Sequence, residues 1–152
     1  GLLLVSGEPA PHLPRPVEET PAHLLDDAGL LQALVRYGVP ARLLESGLEG
    51  EALHLLRADL ALCHGYRWRD GPPLSCRLVA FAGDADPLGA PSDVAAWSAL
   101  TRGGFSFHVL EGDHFFIRSR RDEVLEHVAA ELARPAWRTA SSPPVARVAM
   151  GT

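Results

Sequence analysis

The chain is 152 residues long, 47% hydrophobic and 22% charged, which suits one compact domain or part of a larger one and supports a packed core rather than disorder. Its 19 acidic residues against 14 basic ones give a formal net charge of −5, which argues against nonspecific attraction to nucleic acid or to an anionic membrane. The longest apolar runs fall far short of the roughly 18 residues that a membrane-spanning helix needs, so a cytoplasmic protein is expected.

The first segment, GLLLVSG from Gly1 to Gly7, is almost continuously apolar. It predicts a strand buried on both faces of a parallel sheet, not an edge strand. Residues 8–16 (EPAPHLPRP) hold four prolines, which forbid regular structure and mark a stiff loop leaving the strand's end. From Ala22 to Tyr37 the period changes: Leu24, Leu25, Leu30, Leu31, Leu34 and Val35 recur near helical spacing. With Thr20 as N-cap, Pro21 in the first turn and Gly38 just past the end, this predicts one amphipathic helix. A short helix is expected after Pro40. A third fits Glu49 to about His64, where Leu53, Leu56, Leu60 and Cys63 share a stripe. Three short helices between two strands have the form of an inserted cap, over about residues 17–66.

Tyr66 to Ser75 (YRWRDGPPLS) carries the turn residues of a loop, and Cys76 to Gly83 (CRLVAFAG) predicts a second buried strand. Ser92 is placed to cap a helix running to about Leu100. Phe105 to Leu110 predicts a third strand and Asp122 to Ala133 a last helix. Strands alternating with helices imply an α/β fold whose parallel strands are joined by right-handed crossovers. The segment 135–152, rich in Ser, Pro and small residues, shows no period and is expected to be a flexible tail after a partial domain at 1–134. Cys63 and Cys76 lack CxxC spacing and are expected to be reduced core thiols. The seven histidines form no HExxH or Cys/His cluster and no Gly-rich phosphate loop occurs, so no metal or nucleotide cofactor is expected.

Functional groups of a parallel α/β sheet gather beyond the carboxyl ends of its strands, where the loops converge. Two loops there bear chemistry: Gly83-Asp84-Ala85-Asp86-Pro87 after the second strand and Glu111-Gly112-Asp113-His114-Phe115-Phe116 after the third. An acid and a histidine at equivalent ends of neighbouring strands are what a nucleophilic hydrolase requires, the carboxylate holding the imidazole's tautomer. The structural alternative is that Asp84 or Asp86 makes an Asx turn before Pro87 and that His114 is a polar loop residue.

The order and spacing of LLLVSGEPAPH, Leu56-Arg57-Ala58-Asp59 before Tyr66, Cys76 leading to GDADP, Trp97 near Thr101, and GDHFF are distinctive. From Leu2 to about Leu132 the chain resembles the second half of the type II thioesterases. The resemblance implies the C-terminal part of an α/β-hydrolase fold with a helical lid and a Ser-His-Asp triad. It implies hydrolysis of acyl thioesters from the phosphopantetheine arm of acyl or peptidyl carrier proteins in polyketide and nonribosomal peptide synthesis. It places the acid on Asp86 rather than Asp84, and the histidine on His114.

The chain departs from that family in lacking a Gly-x-Ser-x-Gly turn. Ser6 does not substitute for it: Val5 precedes it and a Pro-rich loop follows, whereas the strained nucleophile elbow needs small neighbours. Oxyanion-hole donors, which follow the nucleophile and an earlier strand, are equally missing. The 152 residues alone are therefore expected to be inactive. Arg57, Ala58 and Asp59 match a lid signature and read as structural, either a solvated face or a local Arg-Asp pair. Tyr66, Trp68 and Trp97 read as packing aromatics. The competing readings are a non-catalytic remnant that binds carrier protein and another α/β-hydrolase esterase.

Overall fold

A computed structural model describes residues 1–14, 20–36, 38–39, 44 and 50–134. Three strands form its sheet: β1 (Leu2–Ser6), β2 (Arg77–Gly83) and β3 (Phe105–Leu110), in the order β1-β2-β3. All pairings are parallel, with Leu2 opposite Arg77 and Ser6 opposite Phe81, then Leu78 opposite Phe105 and Gly83 opposite Leu110. Every long connection between strands is helical, as parallel pairing requires.

The two faces of β2 pack into different clusters, following the period of two along a strand. Val79 and Phe81 pack with Leu110, Phe116 and Val124, the last from α5 (Arg121–Ala133). Leu78, Ala80 and Ala82 pack with Val94 of α3 (Pro91–Ala95) and with the half-buried Trp97. Helices thus clad both faces of the middle strand, and β2 is the strand whose apolar run is buried throughout. Among the described strands β1 pairs only with β2, and Leu4 is 41% exposed. Leu3 and Val5 pack on the Val94 side and Leu2 on the Phe116 side.

Between β1 and β2 runs the helical insertion: a 3-10 turn at Ala22–Leu24, α1 (Asp27–Arg36) and α2 (Glu51–Gly65). The single helix expected from Ala22 is corrected. Leu25 is extended, at φ −69° and ψ 155°, and Asp26 rather than Thr20 caps the helix, its Oδ1 accepting the Gly29 N–H at 2.8 Å. Leu24, which the period placed on the apolar stripe, is exposed as a result. Ala22, Leu30, Ala33 and Leu53 form the insertion's own small core, with Leu56 and Leu60 against it. The fourth member of the expected α2 stripe, Cys63, is exposed and so is not a core residue, while Cys76 is half-buried. The short helix expected after Pro40 and the tail from 135 lie outside the described residues.

Arg57 clamps the insertion together. Its guanidinium donates to the His23 carbonyl at 3.1 Å, to the Leu25 carbonyl and to Asp27 Oδ1 at 2.6 Å. Its partner is therefore Asp27 across the helix pair, not Asp59. The remaining elements follow the expected order, with two differences. The segment after Pro87 is α3 followed by a 3-10 turn at Ala96–Leu100, and begins at Pro91 with Ala90, not Ser92, in the capping position. A short helix, α4 (Phe116–Ser119), intervenes before α5. No helix among the described residues is long and apolar enough to cross a membrane.

Candidate active site

The carboxyl ends of the three strands converge, and backbone bonds hold the loops together there. The Asp84 N–H donates to the Leu110 carbonyl at 2.9 Å and the Ala85 N–H to the Gly112 carbonyl at 3.0 Å, extending the ladder past β2. In return, Asp84 Oδ1 accepts the Gly112 N–H at 2.9 Å. Asp84 thus stitches the two loops to each other and does not face the histidine.

Asp86 does. Its side chain is fully buried, and Oδ2 lies 2.9 Å from His114 Nδ1. Oδ1 accepts the N–H groups of Leu88 at 2.8 Å and Gly89 at 3.1 Å. The Asx turn over Pro87 and the pairing with the histidine are therefore properties of one carboxylate, each oxygen serving one of them. Two backbone donors fix the carboxyl plane, so Oδ2 is aimed before the imidazole arrives.

His114 sits in the tight turn between β3 and α4. Asp113 Oδ1 accepts the Phe115 N–H at 2.8 Å, and Phe116 N–H bonds the Asp113 carbonyl at 3.0 Å. Arg120 closes the base of the loop, its guanidinium reaching both the Glu111 carboxylate and, from Nε at 3.3 Å, the Glu111 carbonyl. The imidazole side chain is 31% exposed. A carboxylate accepting at Nδ1 places the proton there and leaves Nε2 with a lone pair. This is the tautomer that can take a proton from a nucleophile.

Two glycines let the backbone come this close. Gly7 continues β1 with φ +63°, its N–H on the Phe81 carbonyl at 2.9 Å, and a Cβ there would stand 3.3 Å from both Asp86 Oδ2 and the His114 ring. A Cβ at Gly89 would lie 2.4 Å from the Gly7 carbonyl oxygen. Neither was singled out from the sequence, where Gly7 reads only as the end of a strand and Gly89 as a loop residue. Close approach by glycine leaves no mark in one sequence beyond the glycine itself.

A cavity of about 370 Å³ lies elsewhere, between the Pro-rich loop and the segment before β2, walled by His12, Tyr66, Trp68, Leu74 and Trp97. Neither Asp86 nor His114 lines it. Trp97 serves structure there, donating its Nε1 hydrogen to the Glu8 carbonyl at 2.8 Å. Among the described residues no group of three or more His, Cys, Asp or Glu side chains is arranged to hold a metal ion.

A family profile described as a thioesterase domain matches residues 1–132. The curated protein named linear gramicidin dehydrogenase LgrE, from Brevibacillus parabrevis, is 36% identical over 135 residues, covering 86% of this chain and 51% of LgrE. The gramicidin S biosynthesis protein GrsT of Aneurinibacillus migulanus is 32% identical over 132 residues, covering 86% of this chain and 51% of GrsT. Among solved structures, RedJ, the thioesterase of the prodiginine pathway of Streptomyces coelicolor, superposes with a TM-score of 0.70 at 38% identity, over 86% of this chain and 50% of RedJ. The type II thioesterase BorB of the borrelidin cluster does so with 0.68 at 36%, over 86% and 50%. The chain spans about half the length of the curated relatives it matches.

Proposed function

The chain belongs to the thioesterase domain family, and from that premise we propose that the protein carrying it hydrolyses acyl thioesters held on the phosphopantetheine arms of carrier proteins. The observation that carries this reading is the 2.9 Å bond between fully buried Asp86 and His114 at the ends of adjacent parallel strands.

In the proposed mechanism a serine from outside residues 1–152 attacks the thioester carbonyl. His114 Nε2 takes its proton as general base and returns it to the departing thiolate. Water then attacks the acyl-enzyme with help from the same imidazole. Asp86 keeps the proton on Nδ1 in the resting state and stabilises the imidazolium as it forms. The helical insertion between β1 and β2 acts as the lid over the acyl group. The dehydrogenase in the name of LgrE is not carried over, because the family profile that matches residues 1–132 is that of a thioesterase domain.

The experiment uses the longest natural polypeptide that contains these residues. Its substrate is an acyl group presented on a phosphopantetheinylated carrier protein or on the free pantetheine thiol. His114→Ala and Asp86→Asn should each lower turnover by about 10³–10⁴-fold, and the carrier-bound substrate should be preferred. Residues 1–152 alone should release no thiol above the buffer rate. Wild-type turnover in both variants would remove Asp86 and His114 from the mechanism. Tight binding of acylated carrier protein with no turnover by the natural polypeptide would favour a carrier-binding remnant instead.

A further inference from the structure

We propose that Phe115 is a positioning residue for His114, its ring holding the imidazole against Asp86 while resting on the end of α1, so that the helical insertion and the Asp86–His114 pair are mechanically joined. The inference rests on the reading of His114 as general base.

The Phe115 ring meets the His114 imidazole at 85°, with centroids 5.6 Å apart, an edge-to-face contact. The same ring lies against Gly38, where a Cβ would stand 3.8 Å from Phe115 Cε2 and 3.9 Å from Cδ2. Gly38 closes α1 in the left-handed region, at φ +87°. Its N–H bonds the Val35 carbonyl and the Val39 N–H bonds the Leu34 carbonyl, both at 3.0 Å, the paired bonds of a Schellman cap. At Gly38 the insertion therefore presents bare backbone to the ring. The Phe115 backbone is itself pinned through Asp113 Oδ1, and its neighbour Phe116 is fully buried in the core.

These contacts divide the work between two adjacent aromatics. Phe116 packs under the sheet with Val79, Phe81 and Leu110. Phe115 is half-buried and belongs to none of the core clusters. Asp86 holds the imidazole at Nδ1 and the Gly7 backbone lies close to the same edge. Phe115 supplies a further contact, one that involves the insertion. A small displacement of a catalytic imidazole costs as much as about 10²-fold in rate, so movement of α1 against this ring can be read out at Nε2.

The test compares Phe115→Ala, Phe115→Leu and Phe115→Tyr in the longest natural polypeptide, with a pantetheine thioester as substrate and circular dichroism to check folding. Phe115→Ala should lower kcat by about 10–100-fold while KM changes by less than about threefold, and Phe115→Tyr should restore most of the loss. The downfield proton resonance of His114 Nδ1–H should broaden or disappear in Phe115→Ala and return in Phe115→Tyr. If Phe115→Ala does not fold, Phe115→Leu, which fills the space over Gly38 without an aromatic edge, should show the same kcat loss and resonance broadening. A wild-type kcat with the resonance intact overturns the proposal, as does a rise in KM alone, which would make Phe115 a substrate contact. If His114→Ala leaves hydrolysis unchanged, the reading of His114 as base falls, and the Nδ1–H resonance still decides whether the ring positions the imidazole.

Discussion

At the scale of single residues, the candidate site is two side chains whose freedom has been removed by backbone. Asp86 is aimed by two N–H donors and His114 by a turn that Asp113 and Arg120 close. The glycines carry an equal share of the geometry, which makes their substitution a sharp test. Gly7→Ala forces an alanine into φ +63°, costing about 1–2 kcal/mol, and sets a methyl 3.3 Å from both Asp86 Oδ2 and the imidazole. Thermal unfolding should show a modest loss, and turnover in the natural polypeptide should fall by at least about tenfold more than that loss explains. Equal, small effects on both would mean that the strand end does not constrain the pair. Gly89→Ala should be the harsher change, since its Cβ would meet the Gly7 carbonyl oxygen at 2.4 Å and backbone must shift to admit it. Asp86 and His114 were legible because a charged loop residue after a buried strand stands out in sequence. The choice of Asp86 over Asp84 was not legible from the residues themselves: both follow Gly83, and their tasks are separated by the bond from Gly112 to Asp84 and that between Asp86 and His114.

At the scale of elements, periodicity located what is long or buried and failed where one polar side chain redirects the chain. The strands at 77–83 and 105–110 and the helix at 121–133 emerge within a residue of their expected bounds, the plainest case being β2, which is apolar on both faces. The helix expected from Ala22 fails at Asp26, whose Oδ1 is a better partner for Gly29 N–H than continued helix is for Leu25. At that bend Arg57 bonds the part-buried carbonyls of His23 and Leu25. Arg57→Ala should therefore destabilise the insertion by about 1–3 kcal/mol, the range for hydrogen bonds from a charged donor. Faster amide exchange across residues 22–36 and 51–65, with β2 and β3 unchanged, would register it. Asp27→Asn should cost less than about 0.5 kcal/mol, because Asp27 is 73% exposed and such pairs are screened. Comparable effects of the two variants would place the strength of the clamp in the ion pair rather than in the carbonyl bonds. None of this pairing was legible, since the contact joins residues about 30 positions apart and the sequence offered Asp59 as a nearer partner.

At the scale of the whole molecule, α5 is fastened to the sheet by a polar cluster under its last turns, and that fastening makes stability depend on pH. Glu131 is buried and pairs with Arg77 of β2 and with Arg134, the latter at 3.0 Å. Beside it, His108 of β3 stacks on Phe81 at 5.2 Å and meets His127 of α5 in a tilted contact at 4.0 Å between centroids. Burial, and then the charge of His127, hold the His108 imidazole below its ordinary value of 6.5. The Glu131 carboxylate pulls the other way, but it stands 4.0 Å from Nε2, makes no hydrogen bond there and already faces two guanidinium groups. With the folded-state value lowered, the unfolded chain binds more protons between that value and 6.5, so stability rises with pH across this window. It is fully present above about pH 6.5 and is lost as pH falls toward the folded value, at no more than about 1.4 kcal/mol per pH unit from this group. Urea unfolding of wild type and His108→Phe at pH 7.5, 6.5 and 5.5 measures it. The wild type should lose stability on acidification, and His108→Phe, which keeps the stacking without a titrating nitrogen, should lose less. His127→Gln should also flatten the profile, because it removes the like charge. An identical acid profile in all three proteins would locate the sensitivity in other groups.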